Sequence, residues 1–181
     1  MHIHQLNVSH NERHDRLLVR LNTQDGQEFR FWLTRRMTLR LLPVLGQTLG
    51  RLESSQAQVL TPDPASRSIL TELKRDEFLH QADFKTPYVE QARELPLGEE
   101  PMLVTDVQLA LQGTGVLITL QDKGASANGT NSCQLHLQAA LVHGLMHLIE
   151  QAMNTAEWQM PLSRDTDTAA APAAPATAYR H

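Results

Sequence analysis

Three side chains near the end of the chain have the spacing of metal ligands. His143 and His147 lie four residues apart, and Glu150 follows three residues later. On a helix these residues share one face, and two imidazoles with a carboxylate form a ligand set typical of zinc or non-haem iron. Gly144 follows His143, where the helix of a zinc protease has glutamate. The trio is therefore a candidate metal site, and a solvated polar helix face is the alternative interpretation.

A second group of side chains offers positive charge beside an aromatic ring. Eight arginines and five acidic residues lie in the first 60 positions, which gives this part a net charge of +3 although the whole chain carries −4. Arginine forms bidentate contacts with phosphate, and an aromatic ring stacks on an unpaired base. A solvated sheet face is again the alternative. The candidate residues for binding a single-stranded nucleic acid or another anion are Arg20, Arg30, Trp32, Arg35, Arg36 and Arg40.

Signatures of catalysis and of cofactor binding are missing from the sequence. It contains no GxSxG sequence, no P-loop and no GxGxxG motif, so neither a serine nucleophile nor a nucleotide site is indicated. The single cysteine, Cys133, alternates with residues expected to face inward, and this pattern is typical of a buried small hydrophobe. We therefore expect no catalytic residue and no cofactor, and we favour a function other than catalysis.

Strands with alternating apolar and polar residues must position these side chains. The alternation predicts three strands in each half of the chain, each set followed by an amphipathic helix. Thr34 is the candidate N-cap of the first helix, which Pro43 is expected to kink or interrupt. Between the halves, Asp63 and Pro64 mark the start of a further helix that runs to about residue 80. The predicted strands cover about residues 5–9, 17–22, 29–34, 107–112, 116–120 and 133–137.

The two halves also align with each other. Residues 27–49 can be placed on residues 131–153 without a gap, and residues 17–21 match residues 116–120. Any strand–helix junction can give such a pattern by chance, but here the apolar positions coincide through strand and helix together, which favours duplication. We infer an α+β fold of two duplicated βββα units, with antiparallel sheets whose apolar faces lie under amphipathic helices, each sheet under its own helix. The units can share one sheet or form two.

The sequence predicts one domain followed by a tail. Within a domain of residues 1–160, the first unit spans about residues 2–54, a connector with the extra helix spans 55–101, and the second unit spans about 102–158. Residues 161–181 are mostly Ala, Thr and Pro. We expect this tail to be disordered, because it can bury little apolar surface.

Composition and strand pattern together indicate a class of function. No apolar run reaches the roughly 20 residues of a membrane helix, the N-terminal residues lack the pattern of a signal peptide, and one cysteine excludes an internal disulfide. We therefore expect a cytoplasmic protein. Three-stranded sheets leave edges that need covering. We expect a non-enzymatic protein that acts through protein–protein contacts and forms a homodimer; binding of single-stranded nucleic acid is the first alternative, and metal binding by His143, His147 and Glu150 is the second.

Overall fold

A computed structural model describes residues 3–60, 86–89, 94–124 and 131–158 of the chain, together with single positions between 63 and 78; for residues 56–60 it describes the backbone alone. The disordered tail expected at 161–181 lies outside the described residues. The elements in chain order are β1 (Ile3–Asn11), β2 (Arg16–Thr23), β3 (Glu28–Thr34), α1 (Arg35–Leu60), β4 (Met102–Leu103), β5 (Asp106–Gln112), β6 (Gly115–Asp122), β7 (Asn131–Gln138) and α2 (Ala139–Thr155).

The strands form two sheets, and the α+β class is confirmed. In the first sheet the order is β1-β2-β3-β4, with antiparallel pairing throughout except that β4 runs parallel to β3. In the second sheet the order is β5-β6-β7, and both pairs are antiparallel. The alternation in the sequence did not predict β4, because a strand of two residues is too short to show a period of two.

Each sheet turns a buried apolar face toward the interior, as period-two alternation requires. In the first sheet, Leu17 lies opposite Leu33 and Val19 lies opposite Phe31. The second sheet repeats this register. There the buried cross-strand pairs are Val116 with Leu137, Ile118 with Leu135, and Leu120 with Cys133.

Helix α1 begins where the sequence predicted and continues further. Thr34 caps it, since its Oγ1 accepts a hydrogen bond from the backbone N–H of Met37 at 3.2 Å. The helix is continuous through Pro43, so Pro43 does not interrupt it, which was one of the two expected outcomes. Proline removes one hydrogen bond from a helix, but Leu42 and Leu45 are buried on either side of it. Their packing holds both segments of the helix on the core.

The two helices pack on each other, and each of them contacts both sheets. Helix α2 packs on β1 and β2 of the first sheet as well as on β7, and α1 packs on β5 and β6 of the second sheet as well as on β3. The expectation that each sheet lies under its own helix is therefore wrong. A helix that bridges two sheets buries its apolar side against both of them. The buried apolar residues of both halves accordingly form one cluster.

The predicted helix between the halves lies mostly outside the described residues. Every described position between 65 and 78 is helical. Asp63 acts as the predicted cap, because its Oδ2 accepts hydrogen bonds from the backbone N–H of Ser66 at 2.9 Å and from the Ser66 hydroxyl at 2.6 Å.

Candidate functional site

The outward face of the first sheet is covered by the connector between the halves. The side-chain Oε1 of Gln5 accepts a hydrogen bond from the backbone N–H of Val89 at 3.0 Å, and Asn22 donates one to the Val89 carbonyl at 3.4 Å. The Arg20 guanidinium lies 4.5 Å from the centre of the Tyr88 ring. This distance is typical of a cation–π contact. Polar residues of the sheet therefore bind the chain's own connector.

Two other candidate residues for anion binding lie on the same face. Arg30 donates hydrogen bonds to the carbonyls of Gly98 and Glu99 in the connector. Trp32 is half-buried, and its ring contacts the His14 ring edge-on with centroids 5.8 Å apart. The structure thus places Arg20, Arg30 and Trp32 together on one sheet face, as predicted, but this face is not open.

The three remaining arginines lie elsewhere. Arg35, Arg36 and Arg40 are exposed in the first turns of α1, and that first turn contains no acidic residue. Positive charge near a helix N-terminus is unfavourable because the helix dipole has the same sign there. No described acidic side chain forms an ion pair with them.

His143 from the predicted metal trio has a buried partner on the other helix. Its Nε2 lies 2.6 Å from Oε1 of Glu53, and the two side chains are 11% and 5% exposed. The pair joins α2 to α1 across 90 positions of sequence. Glu53 is an acidic residue on the apolar stripe of α1, next to the buried Leu52. An acidic residue at an apolar position of a helix is a sequence signal of a buried polar contact.

A cavity of about 200 Å³ adjoins this pair at the crossing of the helices. Gly46 faces Met146 across this cavity, and the space beside Gly50 is open, since a Cβ atom there would have no neighbour within 4 Å. On the other side, the Phe78 ring lies near His143, with ring centroids 6.5 Å apart. The cavity is lined by Gly46, Leu49, Gly50, Glu53, Glu72, His143 and Met146.

The other two members of the trio have different surroundings. The Nε2 of His147 lies 3.0 Å from the side-chain nitrogen of Gln151, one turn along the helix. Glu150 is half-buried and has contacts of its own. Within the described part of the chain, no three His, Cys, Asp or Glu side chains are grouped so that they could hold a metal ion. The spacing of His143, His147 and Glu150 therefore does not produce a ligand cluster among these residues.

A tryptophan beyond α2 fastens the end of this helix to the first sheet. Trp158 is 4% exposed, and its indole Nε1 donates a hydrogen bond to Oδ1 of Asp15 at 2.8 Å. His10 packs edge-on against the same indole and lies 3.3 Å from the same oxygen. The turn before Trp158 has Glu157 at φ 54, a left-handed conformation common after helices. The sequence predicted that the second βββα unit ends at about residue 158, and it indicated no role for Trp158.

The outward face of the second sheet is exposed. Seven outward-facing side chains on its two outer strands are open to solvent and Asp106 is half-buried, whereas Arg30, Trp32 and Thr34 on the outward face of β3 are half-buried and Glu28 is buried. Two hydrogen bonds link β7 to the end of the β5–β6 hairpin: the His136 ring nitrogen lies 3.0 Å from the Gln112 carbonyl oxygen, and Thr114 donates to the Gln138 side chain at 3.0 Å. The exposed residues are Gln108, Ala110, Gln112, Ser132, Gln134, His136 and Gln138.

The edges of the two third strands differ in the same way. On the free side of β3, Glu28 donates a backbone hydrogen bond to the Glu94 carbonyl at 2.9 Å, and the Trp32 carbonyl accepts one from Val104 at 3.0 Å. Strand β7 is the third strand of the second sheet and forms its edge. No backbone bond from another described segment reaches that edge. The open edge of β7, with the exposed sheet face beside it, is therefore the candidate functional site.

Comparison of the chain with models of protein families, with curated proteins and with solved structures finds no match. None of the helices in the described part of the chain is long and apolar enough to cross a membrane.

Proposed function

We propose that this chain is a non-enzymatic protein that acts through protein–protein contact and associates with itself. The observation that carries the proposal is the difference between the two third strands. Glu94 of the connector and strand β4 bond to the outer side of β3, whereas no backbone bond from another described segment reaches the outer side of β7. Exposed N–H and C=O groups along a strand are a template for another strand.

We further propose that the fold arose by duplication of a βββα unit. Three observations support this history: both halves have the order strand–strand–strand–helix, their hairpins share one register, and their helices are buried at matching positions. The alignment of the sequence pairs Thr38 with Val142, Leu41 with Leu145, Leu45 with Ile149 and Leu49 with Met153, and all eight are buried. Under this proposal β7 and β3 are equivalent third strands. Duplication then explains why the outer side of β7 resembles the outer side of β3, which is covered.

The nucleic-acid alternative receives less support from the geometry. A base-stacking platform needs an accessible aromatic ring beside accessible cations. Trp32 is half-buried, and Arg20 and Arg30 contact the connector. Arg35, Arg36 and Arg40 remain as exposed cations without an adjacent exposed ring among the described residues. Metal binding by His143, His147 and Glu150 has less support still, since His143 pairs with Glu53.

Sedimentation equilibrium over a range of protein concentrations tests the proposed function. We expect the average mass to rise from 20.3 kDa, the mass of one chain, to twice that value. A mass of one chain at every concentration up to the millimolar range would refute self-association. A titration with a fluorescent single-stranded oligonucleotide at low salt tests the alternative, and a salt-dependent affinity would favour it.

A further inference from the structure

We propose that β7 pairs with β7 of a second copy in an antiparallel, two-fold arrangement centred on Leu135. This inference rests on the proposed self-association and specifies its site. The pairing would join two three-stranded sheets into one sheet of six strands. The reasons lie in the direction of the backbone groups of β7, in its side chains and in the symmetry of the contact.

The hydrogen bonds of the second sheet show which residues of β7 face the open edge. The backbone N–H of Thr105, just before β5, donates to the Gln121 carbonyl on β6 at 2.9 Å. Gln121 therefore directs its backbone groups toward β5, and by alternation Leu120 and Ile118 direct theirs toward β7. Their partners on β7 are Cys133 and Leu135. The residues between these partners direct their N–H and C=O groups to the open edge: Ser132, Gln134, His136 and Gln138.

Only one antiparallel register pairs all four of these residues with a second copy. In it Gln134 lies opposite His136 of the second copy, and Ser132 lies opposite Gln138 of the second copy. A shift by two residues leaves one edge residue of each copy without a partner. A shift by one residue places each edge residue opposite a residue whose N–H and C=O groups point toward β6. On the buried side, Leu135 then meets its own copy across the two-fold axis.

The side chains suit this register. The Gln134 amide can bond to the ring nitrogen of His136 that does not face Gln112, and the amide nitrogen of Gln138, whose oxygen accepts from Thr114, can donate to the Ser132 hydroxyl. The strand NSCQLHLQ contains no Asp, Glu, Lys, Arg or Pro. Charges and prolines are the usual means of keeping an edge strand from pairing. Their absence lets β7 approach a copy of itself without charge repulsion.

Symmetry favours a second copy as the occupant. An antiparallel pair of identical strands has a two-fold axis, so the contact closes after two chains. The chain already shows how such an edge is covered, because its own connector bonds to the edge of β3. In the second sheet a copy of β7 would take the corresponding place.

Proline substitution tests whether this edge carries the contact. Gln134→Pro removes an N–H that faces the open edge and keeps the bonds between β7 and β6. The matched control is Leu111→Pro on β5, the other outer strand of the same sheet, at an exposed residue whose backbone groups also point away from β6. We expect Gln134→Pro to weaken dimerisation by about tenfold or more in sedimentation equilibrium, and Leu111→Pro to leave it unchanged.

Disulfide cross-linking tests the register and does not depend on the folding of a proline variant. Across the pair, Gln134 and His136 have Cα atoms about 5.5 Å apart, within the range of a disulfide. We expect an equimolar mixture of Gln134→Cys and His136→Cys chains to form a covalent dimer at least several times faster than either variant alone. Faster cross-linking of Gln134→Cys with itself would overturn the register.

The outcomes separate this inference from the proposed function. A wild-type dimer that Gln134→Pro does not weaken and that the mixed cysteines do not cross-link would overturn pairing through β7 and leave self-association standing. A wild-type chain that stays monomeric would overturn both. A dimer that is weakened at β7 and cross-linked in the mixture supports both.

Discussion

At the scale of single residues, the contact between Glu53 and His143 is the polar bond that fixes one helix against the other. Its two atoms are 2.6 Å apart, and both side chains are largely removed from water. A buried polar group that loses its partner costs more free energy than the bond itself supplied. The pair therefore stabilises one particular crossing of α1 and α2.

We expect Glu53→Ala to lower the free energy of unfolding by about 2–4 kcal/mol, because it leaves His143 buried without its acceptor. Glu53→Gln should cost less, roughly 1 kcal/mol, since its amide can still bond to the imidazole. Urea unfolding followed by circular dichroism measures both values. The exposed Glu100→Ala is the control and should change stability by at most about 0.5 kcal/mol. Equal stability of Glu53→Ala and the wild type would contradict a stabilising pair.

Burial also changes the chemistry of the one cysteine. Removal from water raises the pKa of the Cys133 thiol to about 11. The cause is that the thiolate loses its hydration in the apolar interior. Cys133 is thus a core residue, as its alternation with apolar residues predicted, and it should react slowly with thiol reagents while the chain is folded.

The raised pKa predicts a loss of stability in alkali. In the unfolded chain the thiol ionises near pH 9, whereas in the folded chain it stays protonated up to about pH 11. The contribution to stability is therefore complete below pH 9 and is lost as the pH rises through 11. We expect the wild type to lose about 2 kcal/mol more than Cys133→Val between pH 8 and pH 11 in urea unfolding. Parallel pH profiles of the two proteins would show that the thiol is not buried in solution.

At the scale of elements, β7 lies close against Gly115, the first residue of β6. A Cβ atom on Gly115 would lie 2.5 Å from the Leu137 carbonyl oxygen and 3.0 Å from the His136 ring. Real Cβ atoms do not come so close to a backbone oxygen. Glycine is therefore required at this position by the width of the hairpin.

We expect Gly115→Ala to destabilise the fold by about 1–3 kcal/mol, because the strands must separate to admit the methyl group. Gly50→Ala is the matched control within α1, where nothing lies within 4 Å of the added atom. It should stabilise the protein by about 0.5–1 kcal/mol through helix propensity. Thermal unfolding of the two variants gives shifts of opposite sign, and a neutral Gly115→Ala would contradict the close approach.

Elements were predicted well where the pattern is local. Alternation predicted the six long strands, and Thr34 marked the start of α1. Pro43 does not interrupt α1, because propensity describes an isolated helix and not one held by buried leucines. The prediction missed Glu53 as the partner of His143, since residues 90 positions apart are brought together only by the crossing of the helices.

At the scale of the whole molecule, the crossing of the helices turns two small units into one core. A three-stranded sheet alone buries too little apolar surface to be stable. Here α2 reaches the first sheet and α1 reaches the second, and Trp158 fastens the end of α2 to Asp15. Sequence patterns could not predict this exchange, because an amphipathic helix has the same pattern whichever sheet it covers.

The molecule is asymmetric in what it leaves open. The connector covers the outward face of the first sheet and the edge of β3, while the outward face of the second sheet and the edge of β7 remain exposed. Self-association through this edge is therefore the central claim at the molecular scale. This claim predicts different behaviour for two sets of backbone N–H groups of β7: those that face the open edge and those that bond to β6.

Amide hydrogen exchange of β7 at low and high protein concentration tests the claim most directly. We expect the N–H groups of Ser132, Gln134, His136 and Gln138 to exchange rapidly in dilute protein and to become protected as the concentration rises. Those of Cys133, Leu135 and Leu137 bond to β6 and should be protected at both concentrations. Rapid exchange of the first set at every concentration, including concentrations at which the protein sediments as a dimer, would contradict pairing through β7.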